Sequence, residues 1–307
     1  MFRVYSSDQY TVPLPEKHRF PMSKYQLLRD TLIKQNLVQP DQIHVPPAAT
    51  VAQLCLVHHE SYVNKVLSGQ LNEQEIRRLG FPWSTQLMER AKRSVGGTLA
   101  AAHSALEDGI SGNLAGGTHH AHADFGSGYC TFNDVAVSIL YLQQKQKIKR
   151  ALVIDLDVHQ GDGTAVIFEN DPTVFTFSMH GEHNFPFRKA QSDLDVSLSN
   201  GVADSVYLDR LNQFLPQVIE QAKPEIVFYL AGADPLHSDR LGKLNLSLQG
   251  LKDRDRRVIS TCFSEKIPIV CVLSGGYAVP LEDTIQAHCN TYLVINALLA
   301  TETQHPQ

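Results

Sequence analysis

Cysteine is scarce and unpatterned in this chain of 307 residues. The five cysteines, an odd number, are widely spaced, and no Cys-X-X-Cys pair occurs. This argues against a disulfide framework and against a cysteine-rich zinc site. We therefore expect a protein of a reducing compartment, and the predicted location is the cytoplasm.

Long apolar runs and an excess of one charge are also missing. No apolar stretch is long enough to span a bilayer, and residues 1–10 lack the apolar core of a signal peptide. The net charge is only −5, so we expect neither a nucleic acid nor a membrane surface as a partner. A basic stretch at 254–257 alternates with Asp253 and Asp255, which predicts a solvated helix face.

What is present is an ordinary globular composition, 43% hydrophobic and 19% charged. That composition fits one large α/β domain or two small ones. Because the chain shows no repeat and no low-complexity linker, we expect a single catalytic domain over residues 1–300. Residues 301–307 are polar and are expected to form a flexible tail.

Short apolar segments alternate with helical patterns in the second half of the chain. Strands are predicted at 151–158, 174–179, 226–231 and 269–273, with helices at 205–222 and 248–264. This alternation predicts an α/β fold in which helices cover a mainly parallel sheet. The first half is predicted to hold a strand at 2–5 and helices at 23–35, 61–67, 73–79, 84–107 and 133–144. Ser23 is the expected N-cap of its helix, and the helix at 84–107 is expected to break near Gly96 and Gly97.

Polar residues follow the apolar strands at the point where each strand should end. In parallel sheets ligands bind beyond the carboxyl ends of the strands, so these residues should share one site. They are Asp157 and His159 after the first of the four strands, Asp234 after the third, Tyr277 after the fourth, and His119 and His120 after a short apolar pair at 114–115.

Asp155, Asp157 and His159 occupy alternate positions, so they are expected on one face near the end of a strand. Two buried carboxylates and an imidazole are costly together unless another charge compensates them, and a divalent metal is the simplest compensation. With Asp234 as the third ligand beside Asp157 and His159, coordination positions remain for water and a substrate oxygen. A lone Asp-X-His would instead be read as a salt-bridged strand end.

The adjacent His119 and His120 cannot both be protonated cheaply beside a divalent cation. One histidine would accept a proton from water, and the other would carry charge or protonate a leaving amine. Asp155 and Asp162 flank the metal strand and are the expected partners that orient these rings. Tyr277 follows two glycines and is either a donor to a developing oxyanion or a packing residue.

Taken together, these motifs resemble the zinc-dependent histone deacetylase family of the arginase–deacetylase superfamily. The resemblance runs from about Phe2 to about Leu298. Gln160 and the Ser-Gly-Gly-Tyr form make it most similar to class IV and related bacterial deacetylases. The matching stretches are 116–121 (GGTHHA), 127–134 (SGYCTFND), 155–164 (DLDVHQGDGT), 231–236 (AGADPL) and 273–277 (LSGGY).

The resemblance implies roles for particular residues. The metal ligands would be Asp157, His159 and Asp234, and the catalytic residues would be His119, His120 and Tyr277 with Asp155 and Asp162. The substrate tunnel would be lined by Tyr129, Phe185 and Gly128, with Arg19 in a product channel below the metal. Structural potassium would bind Asp155, Asp157, His159, Ser178 and Met179 at an inner site, and Phe168, Asp171 and Val174 at a second one.

The implied reaction is removal of an acetyl or longer acyl group from Nε-acyl-lysine in a peptide or protein. Zinc is the expected metal, iron(II) is the alternative, and the chain would be a monomer or a homodimer. Acetylpolyamines are an alternative substrate class, and an inactive acyl-lysine binding module is a minor alternative. Arginase-like chemistry with two metals is disfavoured, because Pro235 and Leu236 follow Asp234 where a second acidic ligand would be needed. No counterpart of the substrate-holding aspartate of many class I enzymes is seen between Leu79 and Ser84.

Overall fold

Eight strands and ten α-helices make up the part of the chain that this computed structural model describes, residues 2–304. The strands are β1 (Arg3–Tyr5), β2 (Ile43–His44), β3 (Ile110–Asn113), β4 (Ala151–Asp155), β5 (Val174–Gly181), β6 (Leu194–Leu198), β7 (Ile226–Leu230) and β8 (Ile269–Val272). The helices are α1 (Lys24–Lys34), α2 (Val51–Leu54), α3 (Glu60–Leu67), α4 (Glu73–Leu79), α5 (Thr85–Asp108), α6 (Asp134–Gln144), α7 (Asp162–Phe168), α8 (Asp204–Ala222), α9 (Leu248–Ser264) and α10 (Leu281–Gln304).

All eight strands join one sheet, in the order β2-β1-β3-β8-β7-β4-β5-β6. Every pairing between these strands is parallel. In the register, Asp155 at the end of β4 lies between Leu230 of β7 and Ser178 of β5. The predicted α/β fold with a parallel sheet is therefore confirmed.

The central strands are apolar on both faces because both faces are covered. Leu152 and Ile154 of β4 join the core cluster that includes residues of α8, α9 and α10. Val153, between them in sequence, joins the cluster on the opposite face with residues of α5 and α6. Successive side chains of a strand point to opposite faces, so a doubly covered strand needs a continuous apolar run.

Several boundaries differ from the predicted ones. The strand predicted at 151–158 ends at Asp155, so Asp157 and His159 lie in the following loop rather than on a strand face. The helix α5 is not broken at its glycines. Instead, a Cβ at Gly96 would overlap the carbonyl oxygen of Pro47, and a Cβ at Gly97 would lie 2.8 Å from the Asn113 amide nitrogen. These glycines let the helix approach its neighbours closely.

One predicted cap and several elements differ from the structure. Ser23 occupies the N-cap position of α1, but its side chain makes no capping hydrogen bond. The elements that were not predicted are β2, β3, β6, α2, α7 and α10. Two of them carry a weak sequence signal, because β2 has only two residues and β3 reads Ile-Ser-Gly-Asn. The expected tail overlaps α10 at 301–304, and 305–307 lie outside the described residues. The division into a domain and a tail remains a prediction.

The helix α9 carries an ion pair that is buried, in contrast to the predicted solvated face at 254–257. The Arg254 guanidinium donates to the carbonyl oxygens of Leu156 (3.2 Å) and Gly232 (2.6 Å). It also donates a hydrogen bond to the neighbouring Asp255 carboxylate. This carboxylate accepts a second hydrogen bond from the Tyr229 hydroxyl at 2.6 Å. One buried side chain therefore ties together the two loops that follow β4 and β7.

Replacing Arg254 with leucine is expected to lower the free energy of unfolding by about 3–5 kcal/mol, because Asp255 would remain buried without its cation. Urea denaturation monitored by circular dichroism measures this change. The matched control is Arg256→Leu on the same helix, whose pair with Asp253 is exposed and should contribute less than about 1 kcal/mol. Equal effects of the two substitutions would contradict the structural role of the buried pair.

Candidate active site

The predicted site residues lie beyond the carboxyl ends of four strands that are neighbours in the sheet, β3, β8, β7 and β4. A cavity of about 440 Å³ opens at this edge. Its lining includes His119, His120, Asp157, His159 and Tyr277. The topology thus brings together residues that are more than 150 positions apart in the sequence.

Asp157, His159 and Asp234 form a buried cluster whose ligand atoms all lie within 4.8 Å of one another. The Nδ1 atom of His159 lies 2.9 Å from Asp157 Oδ1 and 3.2 Å from Asp234 Oδ2. Asp234 Oδ2 is fully buried and has no hydrogen-bond partner within residues 2–304. An unpartnered carboxylate oxygen beside an imidazole nitrogen fits a metal ligand set.

The pKa shifts of this cluster show the same need for positive charge. Burial and the charge of Asp157 raise the pKa of Asp234 to about 7. Burial alone would lower the pKa of His159, but the neighbouring carboxylates of Asp157 and Asp234 raise it to about 10. The donor set of two carboxylate oxygens and one imidazole nitrogen suits zinc or iron(II).

Hydrogen bonds hold the two carboxylates in fixed orientations. Asp157 Oδ2 accepts from the Ser274 hydroxyl at 2.7 Å and from the Gly275 backbone N–H at 2.9 Å. Asp234 Oδ1 accepts from the Val158 N–H at 2.9 Å. A Cβ at Gly275 would lie 2.7 Å from Asp157 Oδ2, so only glycine lets this backbone approach the cluster. One oxygen of each carboxylate is thereby anchored, while the other faces the cluster.

The tandem histidines lie side by side, with ring centroids 4.1 Å apart. His119 Nδ1 lies 2.7 Å from Asp155 Oδ2, and His120 Nδ1 lies 2.6 Å from Asp162 Oδ1. The structure therefore places each ring beside one of the two carboxylates that were expected to orient the pair. Such carboxylate partners select the ring tautomer that keeps the proton on Nδ1.

The two histidines have opposite pKa shifts. Burial would lower the pKa of His119, but the charges of Asp155 and Asp157 raise it to about 9. Burial and the charge of His119 lower the pKa of His120 to about 4, although Asp162 acts in the opposite direction. These shifts favour the charged form of His119 and the neutral form of His120 at neutral pH.

Tyr277 lies in the loop after β8. Its backbone N–H donates to Asp239 at 2.6 Å, which fixes this turn of the loop. Burial and the charges of Asp157 and Asp234 raise the pKa of the Tyr277 phenol well above its usual value, so the hydroxyl remains a donor. The ammonium of Lys24, which is buried, donates to the carbonyl oxygens of Ser274 and Gly276, each at 3.4 Å.

Aromatic rings line the approach to this site. The Phe185 ring stands edge-on to His120 at 4.9 Å, and the Tyr129 ring lies 6.1 Å from Tyr277. A Cβ at Gly128 would lie 2.6 Å from His120 Cδ2, so a side chain there would collide with the His120 ring. Arg19 lines the same cavity but is exposed, unlike a residue enclosed in a channel below the metal.

The residues expected to bind potassium lie around β4 and β5. Asp155 is paired with Ser178 in the register of these strands, and Met179 follows Ser178. For the second site, Phe168 ends α7 and Val174 begins β5, with Asp171 in the turn between them. Potassium binding at either place stays a prediction.

Comparison with known proteins identifies the family. A histone deacetylase domain model matches residues 18–292. Histone deacetylase 2 of Arabidopsis thaliana is 31% identical over 89% of this chain and 74% of its own length. The acetoin utilization protein AcuC of Staphylococcus aureus is 30% identical over 81% of this chain and 69% of its own. An uncharacterized protein of Picosynechococcus sp. is 47% identical over 93% of this chain and 95% of its own.

The fold comparison agrees with the sequence comparisons. A crystal structure of a histone deacetylase homologue from Aquifex aeolicus superimposes with a TM-score of 0.81 at 26% identity, over 96% of this chain and 83% of that one. The chain therefore belongs to the histone deacetylase family, within the arginase–deacetylase superfamily. Membership in this family indicates a deacetylase, a hydrolase. Within residues 2–304 no helix has the length and apolar character needed to cross a membrane.

The sequence reasoning gave no role to two buried residues that support the histidine loop. Asp134 accepts hydrogen bonds from the backbone N–H groups of Gly117 (3.0 Å) and Thr118 (2.7 Å). His58 lies 2.9 Å from the carbonyl oxygen of His122 and accepts the Asn133 N–H at 2.9 Å. A polar Asn-Asp pair at the start of an apolar helix signals such anchoring, whereas nothing near His58 in the sequence indicates its contacts.

The stability of the protein should fall in mild acid because of His58. Burial lowers the pKa of His58 from 6.5 to about 4, so the unfolded chain binds a proton there before the folded chain does. The neutral ring stabilises the fold fully above pH 6.5, and this contribution, about 3 kcal/mol, disappears as the pH falls from 6.5 to 4.

Unfolding free energies measured at pH 7 and pH 4 test this effect. The stability gap between the wild type and the His58→Phe variant should shrink by about 3 kcal/mol at the lower pH. Replacement of the exposed His183 by glutamine serves as the control. If the difference in unfolding free energy between the wild type and His58→Phe is the same at pH 7 and pH 4, the contribution of His58 does not depend on its protonation.

Proposed function

We propose that this protein is a metal-dependent deacylase that removes acetyl and longer acyl groups from Nε-acyl-lysine in a peptide or protein. The observation that carries the proposal is the buried ligand cluster beside the two histidines with opposite pKa shifts, at the end of an aromatic-walled cavity. A cluster that lacked the neutral histidine would support metal binding alone. A histidine pair without the cluster would support only a buried ion-pair network.

Zinc, with iron(II) as the alternative, would be held by Asp157, His159 and Asp234. When bound, such a metal supplies a Lewis acid that polarises the acyl carbonyl and lowers the pKa of water. The chain's own residues would supply the proton transfers. The free Nε2 of His120 accepts a proton from the attacking water, because this ring is neutral at pH 7.

The charge that develops on the carbonyl oxygen needs donors. The Tyr277 hydroxyl donates to this oxygen, and the cationic His119, held by Asp155, stabilises the negative charge nearby. The protonated His120 then gives its proton to the lysine amine as the amide bond breaks. Asp162 holds the His120 ring in place throughout.

The cavity shape supports an acyl-lysine substrate. The aliphatic stem of lysine would lie between the rings of Tyr129 and Phe185, where apolar contacts replace water. The volume of the cavity, about 440 Å³, exceeds that of an acetyl group, which supports acyl chains longer than acetyl. The class IV-like subtype, structural potassium, cytoplasmic location and monomeric or dimeric state stay predictions.

The His120→Ala substitution tests the proposed base. Turnover of a neutral acetyl-lysine peptide should fall by about 10²–10⁴-fold, because the base and acid are lost together. Zinc content, measured by atomic emission, should not change, since His120 is not a ligand. The His103→Ala variant, which alters a histidine outside the cavity, should keep wild-type turnover. Full activity of zinc-loaded His120→Ala would refute the acid–base role.

The Tyr277→Phe substitution tests the oxyanion donor. This change keeps the ring that packs against Phe20 but removes the hydroxyl. We expect kcat to fall by about 10²–10³-fold with little change in KM, because the lost hydrogen bond forms only as charge develops. Steady-state kinetics on the same peptide measure both constants. A tenfold rise in KM at constant kcat would instead indicate a role in substrate binding.

A further inference from the structure

The mouth of the cavity is lined by cations, although the whole chain has a net charge of −5. Four of the basic residues that line the cavity are exposed: Arg19, Arg77, Arg78 and Lys243. Within residues 2–304, the only carboxylate in the lining belongs to the ligand Asp157, which is buried. Positive charge at the entrance is therefore separated from negative charge at the floor.

Within residues 2–304, carboxylates neutralise the entrance cations only weakly. Within the described part of the chain, none of Arg19, Arg78 and Lys243 has a carboxylate oxygen within 4 Å. The Arg78 guanidinium lies 4.6 Å from the Phe125 ring, and the Lys243 ammonium donates to the carbonyl oxygen of His183 at 2.8 Å. Arg77 faces Glu73 at 3.3 Å, but both side chains are highly exposed, so this pair neutralises little charge.

The four cations come from three separate segments of the chain. Arg77 and Arg78 belong to the last turn of α4, Arg19 precedes α1, and Lys243 lies in the loop between β7 and α9. Arg240 is also exposed and adds positive charge on this side of the cavity. Burial raises the pKa of Tyr129, and the charges of Arg19 and Arg240 both oppose that rise, so both act at the Tyr129 hydroxyl. Because Tyr129 is a wall of the tunnel, these charges act on whatever enters it.

Such an entrance repels cations and attracts anions over distances of about 8–10 Å at moderate salt. An acetylpolyamine would carry its remaining ammonium groups into this field. An acyl-lysine with a neighbouring carboxylate would instead meet several arginine and lysine side chains whose charge is little neutralised. Arginine and lysine side chains at an interface of this kind affect the rate of association and the choice of partner.

We propose that the entrance selects acylamines that carry a carboxylate next to the acyl-lysine stem, and disfavours cationic acylamines. This inference rests on the proposed deacylase function and specifies its substrate class. The carboxylate has two sources, an acidic side chain beside the acyl-lysine in a peptide or the α-carboxylate of free Nε-acetyl-lysine.

The test compares five substrates of the zinc-loaded enzyme. Three peptides carry the same acetyl-lysine flanked on both sides by aspartate, serine or lysine. The others are Nε-acetyl-lysine with its α-amine blocked, so that it carries no α-ammonium, and a monoacetylated polyamine. We expect kcat/KM to fall from the aspartate to the lysine peptide by about tenfold or more, with the polyamine slowest. Half-molar salt should compress these differences, because exposed charges are screened. A preference for the Nε-acetyl-lysine with its blocked α-amine over all peptides would name the α-carboxylate as the source.

Charge-reversal variants identify the residues. Arg78→Glu and Lys243→Glu should each narrow the preference for the aspartate peptide, and the double variant should reverse it. Arg210→Glu and Arg256→Glu make the same change of charge on exposed residues of α8 and α9 and should leave the preference intact. If all four single variants narrow the preference equally, the preference arises from the net charge of the protein and not from the entrance.

Binding of the same peptides to zinc-loaded His120→Ala, measured by fluorescence anisotropy, separates the two proposals. Equal binding and equal kcat/KM for the aspartate and lysine peptides would overturn the entrance inference and leave the deacylase function standing. Failure of the wild type to hydrolyse the serine peptide, with tighter binding of the aspartate peptide, would overturn the reaction and leave the entrance inference standing.

Discussion

The structure depends on the proximity of two buried carboxylates, Asp157 and Asp234, on either side of one imidazole nitrogen. Buried like charges repel each other strongly, and each ion costs several kcal/mol to remove from water. The arrangement persists because β4 and β7 are neighbours in the sheet and deliver both residues to the same edge. A protonated His159, or a metal ion bound by a neutral His159 together with the two carboxylates, supplies the positive charge that makes the cluster tolerable.

Much of the surrounding chain serves to hold that cluster still. Arg254 reaches from α9 to the backbone of both ligand loops, and Ser274 and Gly275 hold one oxygen of Asp157. The supports come from helices and strands far apart in sequence, so a ligand can move only if several buried hydrogen bonds break together. Such supports keep catalytic ligands in fixed geometry.

Charge is graded along the axis of the cavity. The floor holds the carboxylates, and the histidine pair with its opposite pKa shifts lies beside them. The entrance carries exposed arginine and lysine side chains. A substrate that is neutral at its acylated end and negative beside it matches this gradient throughout. Burial disfavours the charged form of the carboxylates at the floor, so that end of the cavity needs a compensating cation, whereas the entrance cations remain in water.

The sequence by itself determined the fold class and indicated which residues meet at one edge of the sheet. Asp157 and His159 are two residues apart, so their proximity is local, and the strand-end rule for parallel sheets brings Asp234, Tyr277 and the histidine pair to them. Only the tertiary structure decided that β4 ends at Asp155, that Arg254 is buried and that Arg19 is exposed at the entrance. Burial of a charged side chain depends on which distant segments cover it, and neither periodicity nor spacing along the chain carries that information.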